Sequence, residues 1–300
     1  MKLTTLKALV AAIEEGSLRR AASRIGVSQP ALTKMIRDLE VELSATLLVR
    51  TSKGVLPTAQ GKVLHAHALT VTRELSAAAD EISQLGGKMV GELTIGAVPV
   101  AVMLLMPETL RTFGKAFPDI RLKVLEELYI AQLQRLRKGE VDIAVGGIPE
   151  GLSSGEFAVE SLMTTTMVVV ARKGSHFAQA TSLTQLAKEK WVYTGATEES
   201  GYAKALFESN GMAPPPVGAI VNSTLALLSI VSTGDILGLM PRQIAIHPMA
   251  STYICIVPVI EGGLDLQIGA IVRRDSVVSP AIRHLIAHLH RAAHQVSSNY

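Results

Sequence analysis

The chain's 300 residues are 48% hydrophobic and 18% charged, a length and composition that provide for a small head plus one or two α/β lobes and exclude a disordered chain. Its longest apolar runs, such as 224–231 and 163–171, fall well short of the ~20 residues of a membrane span, so no membrane partner is expected. The net charge of +3 is unevenly placed: residues 1–61 hold nine Lys/Arg against five Asp/Glu, +4, leaving 20 against 21, −1, for the rest, and a basic head on a neutral body suits a polyanion.

Met1–Ala8 carries Lys2 and Lys7 but no apolar stretch ending in a small-residue cleavage site, so a secretory signal is not expected and the cytoplasm is the expected compartment. Thr4 or Thr5 can cap a first helix running through Glu15, with Leu6, Leu9, Val10 and Ile13 at helical spacing. Gly16 stops it, and Ser17 caps a second helix over Leu18–Ile25 whose Ala21 and Ala22 permit close helix approach. Gly26-Val27-Ser28 is a tight turn into a third helix, about Gln29–Leu43, with Pro30 in its first turn where a missing N–H costs nothing. Wound at ~100° per residue, Leu32, Met35, Ile36, Leu39 and Leu43 share one arc, and Gln29, Pro30, Thr33, Lys34 and Arg37 share the opposite one. The second arc offers amide, hydroxyl and cationic donors suited to base edges and phosphates. The same arc fits an ordinary solvated helix face.

Several stretches of this region together resemble the LysR-type transcriptional regulators: Gly16-Ser17-Leu18-Arg19-Arg20-Ala21-Ala22, Val27-Ser28-Gln29-Pro30-Ala31-Leu32-Thr33, Ile36-Arg37-Asp38-Leu39-Glu40, Leu47-Leu48-Val49-Arg50-Thr51 and Pro57-Thr58-Ala59-Gln60-Gly61. The resemblance implies a winged helix-turn-helix over 1–57 that binds double-stranded DNA, with Ser28, Gln29, Pro30, Thr33, Lys34 and Arg37 on the recognition helix. It makes Leu48–Pro57 the wing, with Arg50 and Lys53 placed to meet phosphates. Two residues depart from the family pattern: Ser44 stands where Gly is frequent, and Pro57 where a longer aliphatic residue is frequent. Both should alter local turns only.

Thr58 caps a further helix to about Leu85, in which Leu64, Ala68, Val71, Leu75, Ala78, Ile82 and Leu85 recur at alternating steps of four and three. This is a heptad seam. It either packs on its own domain or pairs with the same helix of a second chain. Pairing would present two heads to a two-fold symmetric operator. The linker is expected over 58–87, with Gly86-Gly87 as its end.

From Glu92 onward strand-like and helix-like segments alternate: strand Leu93–Val98, helix Met103–Phe117, strand Ile120–Glu126, helix Ile130–Lys138 and strand Val141–Gly146. Strands Phe157–Leu162 and Thr165–Arg172 follow, then helix Leu183–Ala187, strand Trp191–Tyr193, helix Gly201–Asn210, strand Val217–Asn222, helix Thr224–Thr233 and strand Ile236–Met240. Strands Thr252–Val257, whose Cys255 is the chain's one cysteine and reads as buried, and Gln267–Val272 precede a last helix, Pro280–Val296. Such alternation predicts largely parallel sheets that bind ligands at strand carboxyl ends and helix N-termini.

Gly91-Glu92-Leu93-Thr94-Ile95-Gly96, 136–145 and 234–241 resemble the same family's effector domain. The fold implied is α/β throughout the body: after the head and linker helix, a two-lobed, periplasmic-binding-protein-like effector domain of Rossmann type over 88–300. Lobe I would comprise about 88–162 and 269–300 and lobe II about 163–268, joined by crossing strands near 160–165 and 263–269. Carried over residue by residue, the cleft would draw on Val98, Pro99 and Val100, on Tyr129 and Ile130, on Gly146 and Gly147, and from lobe II on Thr194, Gly195, Ser200, Gly201, Tyr202, Asn222 and Ser223. Each of these is otherwise a plain loop position. Helix N-termini favour a carboxylate or similar anion, and apolar Val98 and Pro99, where many family members have Ser or Thr, point to an organic acid with an apolar or aromatic body. The resemblance also implies a homotetramer, a dimer of dimers, and leaves RNA polymerase open as a further partner.

An enzyme would need a motif that is not found: the chain has no G-x-S-x-G elbow, P-loop or H-E-x-x-H. His284/His288 and His290/His294 are i,i+4 pairs, but ~240° apart on the helix and without acidic or cysteine partners beside them, so packing or surface roles are expected, with no metal and no cofactor. A periplasmic solute-binding protein would share the lobes but leaves the head and the heptad seam unexplained.

Overall fold

The computed structural model describes residues 1–52, 54–149, 151–195, 201–274 and 278–299, with the main chain alone at 129, 130, 298 and 299, and divides into two units, Met1–Gly86 and Gly87–Tyr300. In the first, α1 (Leu3–Glu15) starts earlier than its threonines suggest. Thr5 acts from inside the first turn: its Oγ1 accepts from the Lys2 N–H at 3.3 Å and donates to the Lys2 carbonyl at 2.6 Å, the reach-back of a capping residue at the third helical position. Ser17 Oγ caps α2 (Leu18–Ile25) by accepting from the Arg20 N–H, and Ser28 Oγ caps α3 (Gln29–Glu42) by accepting from the Ala31 N–H. Gly26 takes the left-handed conformation that the turn between them requires, φ 71°.

Leu9, Ala12, Ala21, Leu32, Ile36 and Leu39 close the head's core. Leu43 was expected among them and is instead 41% exposed. The helix ends at Glu42 and Ser44 turns left-handed, φ 49°, so Leu43 leaves the buried arc. The wing is the hairpin β1 (Leu48–Thr51) and β2 (Gly54–Pro57), antiparallel with Arg50 opposite Val55. It docks on the α1–α2 turn through the Val55 N–H, which donates to the Gly16 carbonyl at 2.9 Å. A Cβ on Gly54 would collide with that same carbonyl.

Thr58 caps α4 (Ala59–Leu85), accepting from the Gly61 N–H at 2.9 Å. The first two seam residues serve the head itself: Ala68 is buried, and Leu64 packs on the head's core. From Val71 on the seam is bare, reaching 71% exposure at Ile82 and 69% at Leu85.

In the second unit, β3 (Gly91–Ala97), β4 (Ile120–Glu126) and β5 (Ile143–Gly147) pair in parallel, with β3 central. Where one helix was expected over 103–117 there are two, α5 (Pro99–Leu104) and α6 (Met106–Ala116). Pro107 has no N–H to give the Met103 carbonyl and its ring crowds it, so the helix breaks and restarts with Pro107 in its first turn. The segment α7 (Tyr129–Arg137) lies between β4 and β5.

Residues 157–172 form one continuous strand, β6 (Phe157–Arg172), not the two expected. Beyond it come α8 (Leu183–Leu186), β7 (Trp191–Thr194), α9 (Tyr202–Ser209), β8 (Val217–Val221), α10 (Thr224–Thr233) and β9 (Leu237–Pro241). Two short helices not foreseen, α11 (Arg242–Ile246) and α12 (Pro248–Ser251), precede β10 (Ile254–Ile256), β11 (Leu264–Arg273) and α13 (Pro280–Asn299).

The described strands run in the order β4-β3-β5-β11-β6-β9-β7-β8, with β10 also on β6. The outer sets are parallel and the joints among β5, β11, β6 and β9 antiparallel, so β6 and β11 are the crossing strands between a lobe I (β3–β5) and a lobe II (β7–β9). A register shift at Ile268/Gly269 marks the crossing. Cys255, expected buried, is partly so in β10, its Sγ 3.8 Å from the Ala171 carbonyl.

Candidate DNA-binding groove and effector cavity

The polar arc of α3 meets the wing in a single groove lined by Gln29, Pro30, Thr33, Lys34, Arg37 and Arg50. Ser28, the cap residue, is exposed at the start of the helix. Lys53 lies outside the described residues. The groove exists because Leu32, Ile36 and Leu39 are fully committed to the core, which turns the intervening positions outward, and because the hairpin is tied down beside them.

Glu40, which sequence reasoning passed over, does part of that tying. Its Oε1 accepts from the Leu47 N–H at 2.7 Å and the Leu48 N–H at 3.1 Å, where β1 begins. Gly61 permits the other anchor. A Cβ there would run into the Leu47 carbonyl, which the Thr58 N–H reaches at 2.9 Å.

Five of the head's cations fall into two groups. Arg24 pairs with Glu14 at 2.7 Å and Glu15 at 3.3 Å, and Arg20 lies 3.6 Å from Glu15. These bind α2 to α1. Among the described residues no carboxylate pairs with Lys34, Arg37 or Arg50, so the groove keeps its full positive charge, an arrangement suited to phosphates.

In the second unit a cavity of about 70 Å³ lies between the lobes and the crossing strands, small beside the ~300–1,000 Å³ of sites enclosing drug-sized ligands. Of the residues carried over from the sequence, Val98, Pro99, Val100, Gly147, Thr194 and Tyr202 line it. Gly146, Gly195, Gly201 and Ser223 are chain neighbours of lining residues and Asn222 lies one residue further off, and none of the five is in the lining. Tyr129 and Ile130 open α7, their side chains outside the described residues, as is Ser200. Ser223 instead caps α10, accepting from the Ala226 N–H. The lining also includes Met167, Thr224, Leu239, Met240, Leu266 and Ile268, none of them singled out in the sequence. Burial pushes the Tyr202 phenol above its ordinary pKa, which keeps it a neutral donor.

The histidines of α13 have neighbours of other kinds. His288 is buried against Thr112 and Phe113, His284 lies over the Phe117 ring, and His290 faces Glu160 at 3.0 Å. Among the described residues no group of three or more metal-ligating side chains occurs, and no helix is long and apolar enough to cross a membrane.

A winged helix-turn-helix with a cationic groove, followed by a two-lobed α/β body around a small cavity, defines a DNA-binding regulator with a ligand-binding domain. The model of the LysR substrate binding domain matches residues 86–294, and that of the bacterial regulatory helix-turn-helix protein, lysR family, matches residues 3–62. The chain therefore belongs to the LysR family of transcriptional regulators. The HTH-type transcriptional regulator GbpR of Azospirillum brasilense is 28% identical over 299 residues, 98% of this chain and 87% of GbpR. The crystal structure of CbnR, a LysR family transcriptional regulator, superposes with a TM-score of 0.72 at 20% identity, covering 98% of this chain and 99% of CbnR. Full-length CbnR in complex with its target DNA also matches, at the same TM-score and identity, over 97% of this chain and 100% of that one.

Proposed function

We propose that this regulator reads double-stranded DNA with the exposed arc of α3, using Ser28, Gln29, Pro30, Thr33, Lys34 and Arg37, and clamps flanking phosphates with Arg50 and Lys53 of the wing. The observation that carries the assignment is the convergence of Arg50 with the α3 donors on one groove whose cations have no carboxylate partner among the described residues. In this reading residues 1–57 are the reader, 58–87 the linker and 88–300 the effector domain. The bare stripe of Val71, Leu75, Ala78, Ile82 and Leu85 pairs with the same helix of a second chain, because an apolar seam of this length is stable only when covered. Two such dimers would make a tetramer acting in the cytoplasm on a promoter, with RNA polymerase as the machinery affected.

The cavity binds a small organic effector with an anionic group and an apolar body. Binding shifts the balance between lobe arrangements, and through it the spacing and bending of the bound operator. Arg37→Ala and Lys34→Ala test the reading face: each should weaken operator binding by about 1–3 kcal/mol in a titration on a duplex selected from a random-sequence pool, with circular dichroism and oligomeric state unchanged. Wild-type affinity in both would remove the proposed face.

A further inference from the structure

Taking the cavity as the effector site, we propose that it accepts only a ligand polar at one end, seated with its head group on lobe II and its hydrocarbon toward lobe I. Among the described side chains the polarity of the walls is one-sided: the three hydroxyls all come from lobe II, where Thr194 ends β7, Tyr202 opens α9 and Thr224 opens α10. Lobe I contributes Val98, Pro99, Val100, Leu128 and Gly147, and the crossing strands contribute Met167, Leu266 and Ile268. Among the described residues no charged side chain lines it.

A single carboxylate or carbonyl can therefore accept from up to three neutral hydroxyl donors at one end. Toward lobe I a second polar group would meet only hydrocarbon among the described side chains, a mismatch worth about tenfold to a hundredfold in affinity. Dicarboxylates and zwitterionic amino acids are thereby disfavoured, and short monocarboxylates with alkyl or aryl bodies are selected. The cavity's small volume favours the compact members.

The test is calorimetric titration and thermal shift of the full chain with acids of matched length: butanoate against succinate, pentanoate against glutarate, 4-methylbenzoate against terephthalate. At least one monoacid should bind, its diacid counterpart at least tenfold more weakly. Replacing Thr194 and Thr224 together with Val should weaken the monoacid by about tenfold, in keeping with the loss of two modest hydrogen bonds. Val98→Thr, which supplies lobe I with a hydroxyl, should narrow the gap between monoacid and diacid. Equal binding of a matched diacid that remains sensitive to the Thr variants, or no binding by any monoacid, overturns the one-ended polarity. Binding indifferent to Thr194, Thr224 and Val98 alike would place the ligand elsewhere and sink the effector-site reading itself.

Discussion

The protein's two concave surfaces are built on opposite physics. The head's groove is open, with exposed cations that no described carboxylate neutralises, whereas the sensor's cavity is small, buried among hydrocarbon and free of charged lining among the described residues. The first suits a polyanion whose counterions are released on contact. The second suits a ligand that must shed water to enter. Salt should separate them. A pair of heads offering Lys34, Arg37 and Arg50 twice has six cations, and about six phosphate contacts correspond to roughly a thousandfold loss of affinity between 50 and 200 mM salt. Binding of a small monocarboxylate in the cavity should hardly change over that range. Parallel titrations decide it: a flat salt response of DNA binding would break the contrast.

The next largest effect concerns what holds the groove's two sides together. Glu40→Ala strips the Leu47 and Leu48 N–H groups of their acceptor. Two part-buried donors left unsatisfied cost about 2–4 kcal/mol in the head. Glu40→Gln keeps a carbonyl acceptor and should recover most of that. Hydrogen exchange at those two amides is the direct readout, and wild-type rates in Glu40→Ala would remove Glu40 from the wing's anchoring. The sensor's ligand response should be untouched by either variant.

The contrast between the two surfaces extends to how legible they were in sequence. The proposed reading face follows from local rules: Ser17, Ser28 and Thr58 cap their helices as their positions imply, and the buried set Leu32, Ile36 and Leu39 fixes where Gln29, Lys34 and Arg37 must point. Likewise α10 runs Thr224–Thr233 as expected, bounded by a capping serine and a glycine. The cavity does not yield to such rules. Met167, Leu239, Met240 and Ile268 read as core strand residues, and most of what surrounds them is core; only the pairing of β6 with β11 on one side and β9 on the other brings them to a shared space. The gap expected at 163–164 closes for a similar reason: the partners that continue β6 through it, Ile268 and Gln267, lie about a hundred residues away, on β11. The short helices α11 and α12 have too few residues to show a period.

Ser44 joins both themes, since its oddity was visible in sequence and its cause is visible only in the backbone. It is the one non-glycine residue with positive φ among the described residues, at 49°, a conformation that costs a side chain about 1–2 kcal/mol. Ser44→Gly should relieve that strain. After the extra chain entropy of glycine when unfolded, the net gain is about 0.5–1 kcal/mol, confined to the head. Denaturant midpoints followed by a probe in 1–57 measure it, and an unchanged or lowered midpoint would mean that the serine's turn is not strained.

The smallest effect probes the sensor alone, through the one buried histidine in the packing of α13 on α6. The Thr112 hydroxyl donates to the Glu108 carbonyl at 2.9 Å, so it accepts from His288 Nδ1–H at 2.7 Å and leaves Nε2 as the site of protonation. Burial, helped by the charges of Arg291 and His284, holds the imidazole below its ordinary pKa, and the Phe113 and Phe117 rings flank it. The unfolded chain takes up this proton near pH 6.5, its ordinary value, whereas the folded chain resists until lower pH. Stability is therefore full above that point and falls as the solution is acidified through the folded pKa. His288→Gln, which cannot titrate, should flatten the dependence of sensor stability between pH 7 and 5. Superimposable profiles for the two proteins would show that another group carries the acid sensitivity. Because His288 belongs to the second unit, the head's own stability should follow the same curve in both.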